Sequence, residues 1–449
     1  MKAATPRHWL ASPARGITRI LLCLVLLALL PCNASAYSVL THEEIVDLAW
    51  RDTIRPLLKA KFPNATDAQL IEAHSYAYGG CAIQDMGYYP FGHEFFSNLT
   101  HYVRSGDFVS NLFAEAHTLN EYAFAIGALS HYVGDNIGHS EAVNPSTAID
   151  FPKLEKKYGR IVTYDEDPHA HVRTEFGFDI DQLSKDRLAP PGYLEHVGFN
   201  VPRHLVERAF RDTYGINAHE VLGSLHPAVR SYRWAVRHFI PAFAEAEVVL
   251  HHKQFLPDTH NAEFDIYERH VNETAYERHW KRAFKGPGIR AHLLAAFVWI
   301  VPKVGPAALL AIKIPDAESQ QWYVKSVDDT LKRYKAVLTH LTNDGKSPSL
   351  PDLDLDTGNR ELPGSYRLTD QTYAELLKRI TAVPDRKLPP GTRENILAFY
   401  SHPNAQSAWE REGHDWGPIA HELDMLKGMT LVEPKRAEAA TTAAVTNPK

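Results

Sequence analysis

The sequence predicts an all-α protein, and three observations carry that reading. Capping signatures stand ahead of apolar stripes of helical period, first at Thr41-His42-Glu43-Glu44 and again at Thr66-Asp67-Ala68-Gln69. No hairpin-type dipeptide separates two alternating runs, so little sheet is expected. Proline (29) and glycine (25) are scattered rather than periodic, which excludes collagen-like and low-complexity chains. With 449 residues, 44% of them hydrophobic and 23% charged, the chain has room for two or three domains, or one large domain with appendages.

The first element is an address. Residues 1–19 carry Lys2, Arg7, Arg15 and Arg19 and no acid, residues 20–30 are apolar, and Ala34-Ser35-Ala36 closes the stretch. A basic start, a short apolar run and a small-x-small site read as a secretory signal over 1–36. The run is too short to span a bilayer, and Pro31 suits a lipid anchor at Cys32 poorly. Cleavage makes Tyr37 the first residue of an exported chain, periplasmic or extracellular, and leaves Cys81 as its sole cysteine. Stability must then come from a core or from metal rather than from an internal disulfide. The net charge of −6 becomes more negative on cleavage, which argues against strong nucleic-acid binding.

Helices follow. The first opens at Thr41 and carries Ile45, Leu48, Ala49, Ile54 and Leu57 on one stripe; the second opens at Thr66; a third runs over 121–133. Further helices are expected at 202–213, 224–253, 262–284, 316–343, 369–381 and 392–400. Gly345, Pro348, Pro351 and Pro363 mark 344–367 as a turn-rich connection, and the Ala/Thr-rich stretch 435–449 is expected to be disordered. The segment 289–315 holds no acid and falls into two apolar runs split by Pro302 and Gly305-Pro306. It reads as a buried helical hairpin; the sharper alternative is a loop that dips into a membrane surface.

Chemistry concentrates in the histidines, of which there are 25. His131 and Asp135, four residues apart, share one helical face, where they make a satisfied buried pair or hold a cation together. His139 lies four residues on, and His171 and Glu175 repeat the same spacing, with His169 as a rival to His171. Nitrogen and oxygen ligands without cysteine suit zinc in an open, catalytic arrangement. Asp85, in a glycine- and aromatic-rich stretch, and His101 are weaker candidates upstream. At the mature start, the amine and carbonyl of Tyr37 can chelate a cation beside His42.

In this order — N-terminus, His, Asp, His, His-x-x-x-Asp, His, His-x-x-x-Glu — the residues resemble the zinc-dependent phospholipases C and D. That superfamily includes bacterial phospholipase C, the glycosylphosphatidylinositol-specific phospholipase D catalytic domain and, more distantly, fungal single-strand nucleases. The resemblance covers 37–255 and implies a multi-helix phospholipase C/nuclease-like bundle around three zinc ions, with a helical C-terminal extension. It implies that Asp85, His101, His131 and Asp135 hold one ion, His139, His171 and Glu175 a second, and Tyr37 and His42 a third bridged by Asp135. Asp85 matches the proposed general base. Tyr37 stands where the bacterial enzymes carry Trp, and the four-residue step from Asp135 to His139 looks like the phospholipase D branch. The rest of the chain divides into a helical extension, 256–343, a small helical region, 344–434, and the tail.

The implied reaction is hydrolysis of a phospholipid head-group phosphodiester by metal-activated water, with C-type cleavage favoured. Clustered cations neutralise phosphate oxygens and supply hydroxide, so no serine or cysteine nucleophile is needed. D-type cleavage, a nuclease or phosphatase, and a zinc-stabilised membrane-binding protein without turnover are the alternatives. Partners are expected to be the phospholipid or other phosphodiester and, transiently, a membrane surface. Tyr88, Tyr89, Phe91, Phe95 and Phe96 read as core aromatics, with a lipid or choline pocket as the alternative. Asp352-x-Asp354-x-Asp356-Thr-Gly358 lacks the spacing of a calcium loop and reads as a solvated acidic loop.

Overall fold

The computed structural model describes residues 38–258, 261–274, 276, 280–283, 286–344 and 347–432. The expected leader 1–36, Tyr37 and the tail from 435 lie outside these residues, as do parts of the expected helix 262–284. Among the described residues there is no strand; pairing is confined to isolated bridges between Leu353 and Arg360 and between Leu388 and Leu431. No helix among them is long and apolar enough to cross a membrane. The all-α expectation therefore holds.

Helix α1, Val39–Ala49, starts two residues before the Thr41 signature. The cause is tertiary. Asp179, far along the chain, accepts from Leu40 N (3.0 Å), Thr41 N (3.0 Å) and the Thr41 hydroxyl (2.6 Å). It thereby does for α1 what a local N-cap side chain would otherwise do. Helix α2, Asp67–Gly80, has the expected reciprocal cap, Gln69 N donating to Thr66 Oγ1 and Thr66 N donating to Gln69 Oε1. The expected helix 121–133 is longer: α4, Leu119–Gly138, opens on a second box between Thr118 and Glu121 and runs past Asp135. Between them lies α3, Glu94–Tyr102, which sequence periodicity did not single out. Its stripe is carried by only nine residues, too few for a clear period.

Helix α5, Pro168–Ser184, is capped by the Asp167 carboxylate, which accepts from Ala170 N at 2.9 Å. The expected helix 224–253 is present as Leu225–Trp234 and α6, Ile240–His251, joined by one wide turn, Ala235–Phe239, just ahead of Pro241. A proline lacks the N–H that a tight ladder needs, and a wider turn accommodates it. Helix α7 is Ile289–Ile300, α8 is Ala317–Asp344 and α9 is Arg367–Thr381; Thr392–Tyr400, Ala405–Arg411 and Trp416–Gly428 follow. One apolar cluster joins residues from Val39 to Met429, so the C-terminal helices pack into the same core as α1.

Helices α2 and α4 cross with their backbones in contact. A Cβ on Gly127 would sit 2.0 Å from Ala77 O, and one on Gly80 would sit 2.1 Å from Phe124 O. Backbone cannot give way as a side chain does, and overpacking costs about 1–3 kcal/mol or more. Gly127→Ala is therefore expected to lower the unfolding free energy by about 3 kcal/mol. Gly428→Ala, with nothing within 4 Å of its Cβ, should stay within about 0.5 kcal/mol. Urea titrations of the two variants check this, and equal midpoints would refute the close crossing.

The segment 289–315 is not the buried hairpin expected. α7 buries only Ala291, Ala295 and Val298 against the protein, while Ile289, Leu293, Trp299, Ile300 and Val304 are 68–79% exposed. Pro302 follows the end of the helix and Gly305–Leu310 forms a short 3-10 stretch of two turns. The second run therefore never becomes a packing partner for the first.

Candidate metal centre

Each predicted side chain is delivered by a definite element. α1 carries His42, the 3-10 turn Gln84–Tyr88 carries Asp85, and α3 carries His101. α4 carries His131 and Asp135, the wide turn His139–Val143 that continues it carries His139, and α5 carries His171 and Glu175. The Asp85 turn is held by Gln84 Nε2 donating to Ala128 O (3.0 Å) and by the Thr100 hydroxyl donating to Gln84 O (3.2 Å). All eight side chains are buried. Tyr37, the ninth candidate, lies outside the described residues.

The imidazoles converge through Nε2. His42, His131 and His101 place that atom 3.2, 3.0 and 3.3 Å from the Asp135 carboxylate, and His101 also lies 3.4 Å from Asp85. The Nε2 atoms of His101 and His131 are 3.3 Å apart. In a second group, His139 and His171 bring their Nε2 atoms to 3.5 Å, and His171 Nε2 lies 3.0 Å from Glu175 Oε1. Three sets, His42–His131–Asp135, Asp85–His101–His131 and His139–His171–Glu175, each offer ligand atoms all within 4.8 Å of one another. His131 thus belongs to two of the sets. His169 is exposed and takes no part, which places His171 rather than His169 at the centre.

Backbone and carboxylate groups aim the rings from behind. His131 Nδ1 lies 3.0 Å from Cys81 O and His101 Nδ1 2.7 Å from Ser97 O, so each Nδ1 carries a proton and each Nε2 points inward. His139 Nδ1 lies 3.0 Å from Asp356 Oδ1. Asp356 belongs to the acidic run that sequence reasoning read as solvated; the structure corrects this. Asp354 is 1% and Asp356 2% exposed. The Tyr102 hydroxyl (2.9 Å) and the Tyr366 hydroxyl donate to the Asp356 carboxylate. Its loop is pinned by Leu355 N donating to His101 O and Asn144 Nδ2 donating to Asp356 O. Partners as far apart in sequence as Tyr102, His139 and Tyr366 make burial of that carboxylate tolerable. No helical spacing links Asp356 to His139, so only the aspartate-rich run itself could have flagged it.

The electrostatics follow from burial and crowding. Burial would depress His101, but the carboxylates of Asp135 and Asp85 outweigh it and push the group up to about 10. Burial works against charge on Asp135 too, yet His131, His101 and His42 hold it well below the usual range. His42 is lowered by burial and by His131. His171 is pushed down to about 3 by burial and by His139, so at neutral pH its ring is neutral and able to ligate. Glu175 is raised well above the ordinary value by burial and by Asp85, Asp135 and Asp356. Asp356, despite burial, is lowered by His139 and His171.

These residues fit zinc. A tetrahedron with arms of ~2.0 Å has an edge of ~3.3 Å, and the His–His and His–carboxylate separations of 3.0–3.5 Å match it. Apart from the imidazoles that face Oε1, both Glu175 oxygens are buried without a hydrogen-bond partner, a costly state unless a cation is meant to sit there. Each set offers three protein ligands, which leaves a fourth tetrahedral position open to water.

Of the aromatics beside Asp85, Tyr88, Phe95 and Phe96 are core residues and Tyr89 is half-buried, while Phe91 is 73% exposed at a left-handed φ of 64°. Tyr88 lies between the two groups, its ring 6.3 Å from His101 and 6.1 Å from Tyr164, whose ring in turn is 5.8 Å from His171. Burial pushes both hydroxyls well above their ordinary value, so they stay protonated.

Neither the curated proteins nor the solved structures give a match to the chain. A family model does: residues 41–223 match zinc-dependent phospholipase C. The match contains all eight of the convergent side chains and leaves Asp356 outside. Over the segment that builds this centre, the chain is similar to the zinc-dependent phospholipase C family.

Proposed function

We propose that the protein is an exported phospholipase that hydrolyses the head-group phosphodiester of phospholipids on the glycerol side of phosphorus. The observation that carries the reading is the convergence of five buried imidazoles on three buried carboxylates, in three sets whose ligand atoms lie within 4.8 Å of one another. The family match supports zinc and the phospholipase C class.

His42, His131, Asp135, Asp85 and His101 would hold cations on one side of the centre, and His139, His171 and Glu175 on the other. Zinc bound there would supply positive charge to the phosphate oxygens and acidify the attacking water. Asp85, the most accessible of the carboxylates at 3%, accepts that water's proton, a role that needs only hydrogen-bond reach. Tyr88 and Tyr164, protonated and set between the two groups, donate to the phosphate and keep bulk water out. Incubation of the purified protein with mixed phospholipids tests this. Chelator-sensitive diacylglycerol is expected; phosphatidic acid would reassign cleavage to the head-group side, and neither product would remove lipids as substrates.

We propose further that the leader is removed and that the Tyr37 amine and carbonyl join His42 around a third ion. Support comes from Ser38, buried and two residues ahead of the first of the two amides, Leu40 N and Thr41 N, that Asp179 clamps. The clamp fixes the chain next to His42. Two residues added ahead of Tyr37 are expected to lower zinc from about three to about two ions per chain and to cut hydrolysis, since a terminal ligand cannot survive extension. Unchanged stoichiometry and rate would rule out the terminal ligand.

A further inference from the structure

Beyond Arg290 and His292 in its first turn, the outward face of α7 is apolar where a surface helix should be polar. Ile289, Leu293, Ala296 and Ile300 follow one another at helical spacing on the exposed side, and Ala291, Ala295 and Val298 line the opposite, buried side. A helix apolar on both faces belongs inside something. Trp299 (74% exposed) and Val304 (71%) extend the patch through the turn at Pro302. Twelve residues span about 18 Å, too little to cross a bilayer but suited to lying in its interface.

Charge selects the occupant. The stretch 280–315 contains Lys281, Arg282, Lys285, Arg290, Lys303 and Lys313 and no Asp or Glu, in a chain whose net charge is −6. An apolar patch inside a purely basic segment of an acidic protein is complementary to an anionic lipid surface. A second copy of the chain would bring the same cations face to face. Lys303 curls back so that its ammonium donates to Val298 O and Trp299 O at the C-terminus of α7, which leaves the apolar tip uninterrupted.

The patch is also fixed relative to the metal centre. Ala311 O, just beyond it, accepts from Arg173 Nε (2.5 Å), and Lys313 O packs so closely on Gly177 that a Cβ there would sit 1.9 Å away. Arg173 and Gly177 flank Glu175 on α5, the helix that also presents His171. We infer that α7 and the turn to Val304 form an interfacial anchor that seats the protein on anionic phospholipid bilayers. The inference concerns binding and stands apart from the proposed reaction.

The test is sedimentation with vesicles of phosphatidylcholine containing phosphatidylglycerol, against pure phosphatidylcholine. The wild type is expected to bind the anionic vesicles more tightly, with an affinity that falls as salt is raised. Leu293→Glu/Ile300→Glu should weaken binding at least about tenfold, given ~0.8 kcal/mol per buried CH2 group, while zinc content and hydrolysis of a water-soluble short-chain phospholipid stay unchanged. Equal binding by wild type and variant would overturn the inference. So would a wild type that ignores both vesicle types, or a self-association of the wild type that the variant abolishes. Vesicle binding without lipid hydrolysis would sink the proposed reaction and leave the anchor standing.

Discussion

Asp135→Asn is expected to cost more zinc and more activity than any other single change at the centre. Its carboxylate is approached by His42, His131 and His101 at 3.0–3.3 Å, so it belongs to one set on that side and faces an imidazole of the other. Asparagine keeps the shape and removes the charge that offsets three clustered imidazoles. Outer residues of a metal site typically cost 10–100-fold in affinity or rate, and loss of a direct ligand should exceed ~100-fold in hydrolysis. Zinc per chain should fall by more than one ion, measured after equilibration with graded chelator. The metal-free variant should also unfold earlier than metal-free wild type, because breaking a buried charge cluster leaves the remaining charges uncompensated. A variant that keeps full zinc and rate would show that Asp135 only orients histidines.

Helical spacing made much of this centre legible beforehand. A step of four residues puts two side chains on one face whatever the surrounding fold, and both His131–Asp135 and His171–Glu175 obey it at 3.0 Å. His42, Asp85 and His101 had no such rule behind them; the structure brings them in through three further elements. What spacing could not show depends on contacts between distant segments. The start of α1 is set by Asp179, about 140 positions away, so a local capping signature at Thr41 misplaced it. The exposed face of α7 escaped because an apolar run is written the same way whether protein or lipid covers it. The acidic run at 352–358 was misread for the same reason: composition reports charge and not the tyrosines that come to meet it.

Asp356 supplies the second large effect, and it ties the C-terminal part of the chain to the metal centre. The carboxylate lies 3.0 Å from His139 Nδ1 and so fixes that ring with Nε2 facing His171 and Glu175, the carboxylate–histidine arrangement that raises ligand basicity. Asp356→Ala is expected to weaken zinc at the His139–His171–Glu175 set by roughly 10–100-fold, with hydrolysis falling in proportion and restored by excess zinc. It also strips the buried Tyr102 and Tyr366 hydroxyls of their acceptor, which should cost about 1–3 kcal/mol of stability. Asp356→Asn separates the two effects. Its amide oxygen still accepts from a tyrosine, so stability should recover more than zinc affinity, which depends on the charge behind His139. Equal zinc affinity in wild type and both variants would make Asp356 a purely structural residue. A loss confined to the ions near Asp135 would mean that the loop acts through His101, whose carbonyl it also contacts.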